Sequence, residues 1–365
     1  MRFNCNGLSL AEAVLKVSKA CAVRTTAPVM ECIKMTASSD GISLLATDGE
    51  LSIEKKLNAE VFEEGAVCVP GKLFSDFISK LSGEEVDVAT GEKGVEITYR
   101  DSKSYIQAIA AEEFPEINLN AGENSFVMKQ GAFKEIVSEV VFCCAGDDSR
   151  PILKGCLMEF GDNLKMTALD GYRLAFSEAP ILAKSGEKKL ICPARTLNEI
   201  SKMLPGEEEE VTIFEEKGQL LVKCDSMTIV SRLYRGDFIK RETVIPVNFA
   251  TYVTVEKAQL TASVERAAVL IRGDKNNLIT LDINSDRVKI SSVSDQGNVS
   301  ETVSSETDGV DLTISMNAKY LLEALRALKE ENVTISFNGA ISPFILQNRD
   351  KKDSLYLILP VKNAS

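Results

Sequence analysis

The chain has 365 residues, of which 44% are hydrophobic and 26% charged, and its formal net charge is −12. This composition is typical of a globular protein with two or three domains of about 100–150 residues each. The sequence contains no histidine, which excludes Ser-His-Asp and Cys-His catalytic sites and histidine-based zinc sites. No apolar run reaches the roughly 18 residues of a membrane span and no secretory signal opens the chain, so we expect a cytoplasmic protein.

Two sets of helices are predicted along the chain. Apolar residues recur with helical periodicity over Ser9–Val23, Gln130–Cys143 and Glu256–Leu270. A second set of amphipathic helices begins at Pro70, Pro193 and Asn317, and each ends at a leucine before an acidic turn and a β-branched strand. These landmarks recur about every 123 residues, an interval that indicates three copies of one domain.

Hairpins lie between the helices. Asp170-Gly171 and Asp48-Gly49 are two-residue turn signals, and the third copy, around Asp295, is degenerate. We expect Tyr172, Arg173 and Leu174 to leave the turn as a strand. Helices interspersed with antiparallel hairpins predict an α+β fold with helices on one face of the sheets. Turn-rich segments after Phe114 and Thr243 place the domain limits at 1–120, 121–247 and 248–365.

Nine cysteines, an odd number, are present, most of them in strand-like apolar runs such as those of Cys32, Cys68 and Cys192. No Cys-x-x-Cys spacing occurs. This usage indicates reduced cysteines in the core and predicts neither a disulfide framework nor a zinc site.

The segment Leu169-Asp-Gly-Tyr-Arg-Leu-Ala, the triplet Phe114-Pro-Glu, Asn317 with Tyr320, and the terminal Leu359-Pro-Val occur in an order that resembles the bacterial DNA polymerase III β subunit family, the sliding clamps. The resemblance covers the whole chain. It implies three similar clamp domains, with helices lining an inner face and antiparallel sheets outside, in a ring-shaped homodimer that encircles double-stranded DNA without reading its sequence. It also implies a non-catalytic processivity factor with no cofactor. The implied partners are the catalytic subunit of the replicative polymerase, the clamp loader and other proteins with clamp-binding motifs.

The resemblance further implies a hydrophobic cleft that receives short peptides from partners. The residues carried over to this cleft are Leu153, Leu169, Gly171, Tyr172, Arg173, Leu174, Val244, Asn317, Tyr320, Ile341, Pro343, Leu359, Pro360 and Val361. We expect the aliphatic side chains to supply contact area, with Tyr172 and Arg173 framing the rim. The family commonly has Thr at Leu169, His at Tyr172 and a different C-terminus, here extended by Asn363–Ser365, so the preferred motif stays open.

The resemblance also implies a set of DNA contacts and a set of dimer contacts. The residues expected to meet the DNA backbone are Arg24, Lys72, Arg150, Arg195 and Lys202, and those expected in the dimer interface are Phe77, Ile106, Val269 and Leu270. The interface positions are equally compatible with ordinary core helix and strand residues. Helical cations are interspersed with acids, whereas runs such as Glu207–Glu210 follow the helices, so we expect a weakly cationic inner surface in an acidic body.

Two other classes of protein remain open at this point. An enzyme could use carboxylates such as Asp147, Asp148 or Asp170, but nothing in the sequence places two of them across a cleft. A peptide-binding scaffold that never encircles DNA would share the cleft without the ring. A clamp stays on circular DNA and slides off when that DNA is linearised, which distinguishes the two.

Overall fold

The computed structural model describes residues 1–81, 83–92, 94–273, 277–347 and 353–362, so the extension Asn363–Ser365 lies outside the described residues. The α-helices are α1 (Gly7–Val17), α2 (Gly71–Ile78), α3 (Gln130–Val140), α4 (Ala194–Met203), α5 (Lys257–Leu270) and α6 (Ala318–Ala327). None of the helices in these ranges has the length and apolarity to cross a bilayer.

The helix starts follow from capping. The Asn6 side chain accepts hydrogen bonds from the backbone N–H groups of Leu8 and Ser9 and opens α1, two residues before the predicted start. Asn317 caps α6 in the same way through the N–H of Lys319, as predicted. The C-terminal ends of α1 and α3 were predicted too late, because each helix tightens into a single 3-10 turn before the chain turns away.

The strands of the first part of the chain are β1 (Arg2–Asn6), β2 (Cys32–Ser38), β3 (Gly41–Thr47), β4 (Leu51–Leu57), β5 (Glu60–Glu63), β6 (Gly65–Pro70), β7 (Glu85–Thr90), β8 (Gly94–Tyr99), β9 (Ser102–Gln107) and β10 (Ser125–Lys129). Those of the middle part are β11 (Gly155–Phe160), β12 (Asn163–Leu169), β13 (Arg173–Pro180), β14 (Ala183–Lys184), β15 (Lys188–Pro193), β16 (Glu210–Glu216), β17 (Gln219–Cys224) and β18 (Met227–Arg232). The last part contributes β19 (Thr251–Glu256), β20 (Leu278–Ile283), β21 (Arg287–Ser294), β22 (Gly297–Gly309), β23 (Leu312–Asn317), β24 (Asn332–Phe337), β25 (Phe344–Gln347) and β26 (Ser354–Ile358).

These strands form three antiparallel sheets, which confirms the α+β prediction. The first has the order β5-β1-β7-β8-β9, and the second has the order β14-β10-β16-β17-β18-β4-β3-β2-β6. The third has the order β15-β11-β12-β13-β26-β25-β24-β19-β22-β21-β20-β23. Strands distant in sequence are therefore neighbours, as where β13 pairs with β26 and Arg173 lies opposite Ile358.

Contacts divide the chain into two compact units. Unit 1 comprises residues 1–130, 182–186 and 199–233 and contains the five- and nine-stranded sheets, whereas unit 2 comprises the remaining described residues and contains the twelve-stranded sheet. The middle third of the sequence thus contributes strands to both units, because its β18 pairs with β4 and its β13 with β26.

The repeat seen in the sequence reappears in atomic detail at two hairpins. In unit 1, Asp48 Oδ1 accepts from the N–H groups of Glu50 (3.0 Å) and Leu51 (2.8 Å). In unit 2, Asp170 makes the same bonds to the residues two and three positions later. Each aspartate therefore supplies a hydrogen-bond acceptor for backbone N–H groups that the turn would otherwise leave unpaired. The two turns have the same local structure.

Candidate functional site

The turn between β12 and β13 differs from its prediction by one position. Leu169 pairs with Leu174, and the N–H of Asp170 donates to the Arg173 carbonyl, so Gly171 and Tyr172 are the central turn residues. Gly171 has a φ of 94° with open space where a Cβ would point, so backbone conformation favours glycine here. Tyr172 therefore projects from the turn instead of from the strand, and its side chain is 63% exposed.

Arg173 was expected on the rim of the cleft, but it is buried, and its guanidinium ties three segments of unit 2 together. Its residue is only 8% exposed, and its Nε donates to Asp170 Oδ2 at 3.0 Å. Nη1 pairs with Glu323 of α6, and Nη2 donates to the carbonyl of Phe142 at 2.8 Å. A buried guanidinium needs such partners because desolvating an unpaired charge is costly.

Tyr320 completes this arrangement from α6. The guanidinium carbon of Arg173 lies 4.4 Å from the centroid of the Tyr320 ring, a cation–π distance. Burial, reinforced by the nearby carboxylate of Asp170, raises the pKa of Tyr320, so its hydroxyl remains protonated at neutral pH. Arg173 thus joins the β12–β13 turn, the end of α3 and the face of α6.

An apolar cluster lies beside this tie. Leu153, Leu169 and Leu174 are buried in it together with Ile345 and Leu357. The three predicted leucines therefore form the floor of the site. The partly buried side chains packed against them, which are the ones a ligand can reach, are Ala145, Ile152, Phe176, Phe238, Ile245, Phe249, Leu355 and Leu359.

Most of that accessible set was not anticipated. Phe238, Ile245 and Phe249 lie in a segment with little regular structure between β18 and β19, where periodicity gives no signal. The apolar spacing of these residues around Val244 was the available hint. Ile345 and Leu357 lie opposite each other in the paired strands β25 and β26. The alternation of apolar and polar residues along these strands predicts that one face of each is buried, but it does not predict which residues pack against that face.

The C-terminal segment brings the remaining predicted residues to the site. After β26, the N–H of Leu359 donates to the carbonyl of Tyr172 at 2.9 Å, and the N–H of Val361 donates to that of Ser315 at 2.8 Å. Leu359, Pro360 and Val361 therefore run from the turn towards β23, whose last residue is Asn317, the cap of α6.

Further hydrophobic side chains of unit 2 are exposed in the chain segments before β25 and before β19. Ile341, which is 70% exposed, and the partly buried Pro343 precede β25, whose Phe344 lies opposite Ile358. Val244 is also exposed. A buried apolar floor, exposed aliphatic and aromatic edges and a fixed buried cation are the features of a surface that binds an apolar peptide segment.

The predicted DNA-contact residues in unit 1 are exposed. The side chains of Arg24 and Lys72 make no hydrogen bond or ion pair with any described residue, and Lys72 lines a cleft with Lys19 and Val23. Lys202 is exposed as well but pairs with Glu199 at 3.0 Å. Helix α2, which carries Lys72, can start close to the segment after α1 because its first residue, Gly71, has no Cβ. A Cβ at this position would lie 2.4 Å from Cys21 Sγ.

The unit 2 positions divide in the same way. Arg150 is exposed, and its guanidinium has no partner among the described residues, while Arg195 is exposed on α4. Asp147, in the same loop as Arg150, accepts hydrogen bonds from the N–H (2.9 Å) and hydroxyl (2.5 Å) of Ser149. These bonds hold the pKa of Asp147 below its usual value. Asp147 therefore shapes the loop that presents Arg150.

The predicted dimer residues differ in availability. In unit 2, Val269 is 68% exposed near the end of α5, and Leu270 is partly buried. In unit 1, Phe77 packs edge-on against Tyr99 at 6.1 Å, and Ile106 is only 6% exposed on β9, the last strand of its sheet. The Ile106 side chain thus belongs mainly to the core of its own chain.

Comparisons with known proteins match the chain along its length. The N-terminal, central and C-terminal domain models of the DNA polymerase III beta subunit match residues 1–119, 127–240 and 242–362. The beta sliding clamp of Halalkalibacterium halodurans is 31% identical over 363 residues, covering 95% of each chain.

Solved structures agree with the sequence matches. The DNA polymerase sliding clamp of Bacillus subtilis superposes with a TM-score of 0.96 at 28% identity, covering 100% of this chain and 99% of the other. The sliding clamp of Pseudomonas aeruginosa bound to griselimycin gives a TM-score of 0.94 at 25% identity, with 99% of each chain covered. The family is the non-catalytic processivity factor of DNA polymerase III, so the enzyme alternative falls away. The chain therefore belongs to the DNA polymerase III beta subunit family and is a DNA sliding clamp.

Proposed function

We propose that two copies of this chain close into a ring around duplex DNA in the cytoplasm and tether the replicative polymerase to its template. The observation that carries the proposal is the internal repeat, with the same aspartate-capped turn at Asp48 and Asp170. Repeated head-to-tail interfaces between similar domains form a ring when their rotations add up to one full turn. Because the ring encloses the DNA, it keeps a bound polymerase at high local concentration near the template without binding the DNA tightly.

The test is topological. The protein is placed on a nicked circular plasmid by a clamp loader, and the plasmid is then cut once. We expect the protein to co-elute with the circle at moderate salt and to be lost from the linear product. A peptide-binding scaffold that does not enclose DNA would give the same elution with both substrates.

For the DNA contacts we propose the exposed cations Arg24, Lys72, Arg150, Arg195 and Lys202. The protein has a net charge of −12, so most of its surface should repel DNA. A cationic side chain that is not paired with a carboxylate can bind a DNA phosphate without first breaking an ion pair. Arg24, Lys72 and Arg150 meet that condition among the described residues. Lys202 is instead paired with Glu199 at 3.0 Å, and Arg326 of α6, which we do not propose, is paired with Glu265 at 2.7 Å. A few weak phosphate contacts hold the duplex without resisting sliding.

For the partner site we propose the surface around Tyr172, Val244, Ile341 and Leu359, with Arg173 beneath it. The ligands would be short motifs of the replicative polymerase, the clamp loader and other clamp-binding proteins, with aliphatic and aromatic anchors. The apolar floor and exposed apolar edges support this assignment. A fluorescein-labelled peptide of the form Gln-Leu-x-Leu-Phe tests it by polarisation, and a peptide with alanine at each anchor is the control.

For the ring contacts we propose Val269 and Leu270 of one copy against Phe77 and Ile106 of the other. The domain limits proposed for each copy are 1–120, 121–247 and 248–365. The exposure of Val269 and the position of Ile106 on a sheet-edge strand support the pairing, because an edge strand offers backbone groups as well as side chains. Light scattering after size-exclusion chromatography should give the mass of a dimer at micromolar concentration.

A further inference from the structure

Four of the nine cysteines lie in unit 2, the unit that also contains the proposed partner site. Cys143 and Cys144 follow α3, Cys156 lies in β11, and Cys192 is its cross-strand neighbour in β15. The Sγ atoms of Cys144 and Cys156 are 3.7 Å apart, the one hydrogen-bonded pair of cysteine sulfurs among the described residues.

The two thiols of this pair have unequal access to solvent. Cys144 is partly buried, whereas Cys156 is fully enclosed, and burial raises the pKa of the Cys156 thiol well above its usual value. Thiolate character and access together decide which cysteine reacts with an oxidant. Cys144 is therefore the thiol that an oxidant meets first, and Cys156 is placed to react with it afterwards.

We propose that Cys144 and Cys156 are a redox modification site that forms a reversible disulfide when the protein meets a peroxide. The Cys144 thiolate attacks one peroxide oxygen, the O–O bond breaks, and Cys144 becomes a sulfenic acid as hydroxide leaves. The Cys156 sulfur then attacks Cys144, the S–O bond breaks, and water forms from the leaving oxygen and the Cys156 proton. The hydroxide takes up the proton that the Cys144 thiol released on ionising, so two thiols are oxidised and one hydrogen peroxide is reduced to two waters.

The geometry asks for little movement. A disulfide bond is about 2.05 Å long, so the sulfurs must approach by about 1.7 Å from their 3.7 Å separation. The bond would close the loop that carries Arg150 and Leu153. Cys21, the other partly buried cysteine of the described residues, directs its thiol to the carbonyl oxygen of Cys32 at 3.7 Å and not to a sulfur.

If peptides bind at the proposed partner site, oxidation of Cys144 and Cys156 should also weaken that binding. Cys144 lies between Phe142, whose carbonyl accepts from Arg173, and Ala145, whose N–H donates to the Leu153 carbonyl at 2.8 Å. Drawing Cys144 towards β11 disturbs both contacts. Loss of a hydrogen bond to a charged group corresponds to about a tenfold fall in affinity, and we expect a fall of this size.

The first experiment treats the full-length protein with hydrogen peroxide, blocks the remaining thiols and maps the peptides by mass spectrometry. We expect a Cys144–Cys156 crosslink that reductant reverses. Cys192→Ala, which leaves the pair intact, should keep the crosslink, and Cys144→Ser should abolish it. Cys156→Ala is the second variant that removes it. A Cys144 that stops at sulfinic acid, or a Cys156–Cys192 bond instead, overturns the proposal.

The second experiment measures binding of the labelled peptide before oxidation, after it and after reduction. Weaker binding that reductant restores supports the link between the thiols and the partner site. Unchanged affinity in a fully crosslinked sample overturns that link. A reduced protein that never binds the peptide refutes the proposed partner site instead, while the crosslink is judged by the first experiment alone.

Discussion

Replacing Arg173 by alanine is the most informative perturbation of the partner site. The substitution removes the ion pairs with Asp170 and Glu323, the hydrogen bond to Phe142 and the stacking on Tyr320. It leaves two carboxylates without their shared cation, of which Asp170 is the more buried.

The magnitude follows from those contacts. Breaking a fully buried ion pair by removing one partner costs about 3–5 kcal/mol. The partial exposure of Glu323 lets water solvate its carboxylate, so we expect about 2–3 kcal/mol of lost stability for Arg173→Ala. Peptide affinity should fall by at least about tenfold, because the turn and α6 are no longer held at fixed positions beside the ligand.

Two measurements separate stability from binding. Melting followed by circular dichroism reports the first, and polarisation of the labelled peptide at a temperature where the variant is fully folded reports the second. Arg173→Lys is the matched control, since an ammonium keeps the charge but lacks the planar fork that reaches several acceptors at once, and it should give an intermediate result. An Arg173→Ala protein with unchanged melting and unchanged peptide affinity would show that this tie is unimportant.

Three further predictions concern other surfaces. Arg150→Ala should reduce the salt dependence of DNA binding by about 0.9 in the slope of log K against log salt, whereas Arg326→Ala should change it far less; equal effects would remove Arg150 from the DNA contacts. Val269→Asp combined with Leu270→Asp should convert the dimer to monomer in light scattering, and a dimer that persists would contradict the proposed interface. Burial raises the pKa of Glu159, but hydrogen bonds from Lys189 and Arg241 outweigh it and lower the pKa below the usual value. Because this folded-state pKa is depressed, the stabilisation is present above the unfolded value of about 4.3 and is lost as pH falls through the folded value. Glu159→Gln should therefore lower stability by about 1 kcal/mol at pH 7, and its melting curve should converge with that of the parent protein as the pH falls through the depressed folded-state pKa; a difference that persists in stronger acid would refute the assignment.

Features that depend on near neighbours in the chain were predictable. The periodicity of α3 and α5, the helix start at Asn317 and the repeated Asp-Gly turns all follow from contacts within a few residues, and the structure contains each of them. The exceptions are informative. The turn at Asp170 is displaced by one residue because its side chain accepts from two successive N–H groups, an alternative to the two-residue turn that the dipeptide also permits.

The environment of Arg173 was not predictable, although the residue itself stood out. Its partners lie 3, 31 and 150 residues away along the chain. Nothing local to Phe142 or Glu323 marks either as a ligand of a guanidinium. The same holds for Cys144 and Cys156, which the sequence assigns to the core one by one and the fold places in contact.

The amino-acid sequence by itself determined the thrice-repeated α+β organisation, because repeats, caps and periodicities are properties of consecutive residues. Its motifs separately carried the resemblance to the sliding clamps. Only the tertiary structure decided that Leu153, Leu169 and Leu174 form a buried floor, that Arg173 lies beneath the rim, and that Phe238 and Phe249 are accessible. The physical reason is register: once β13 pairs with β26, the alternation of side chains along both strands sends one set inward and leaves the other to meet a ligand.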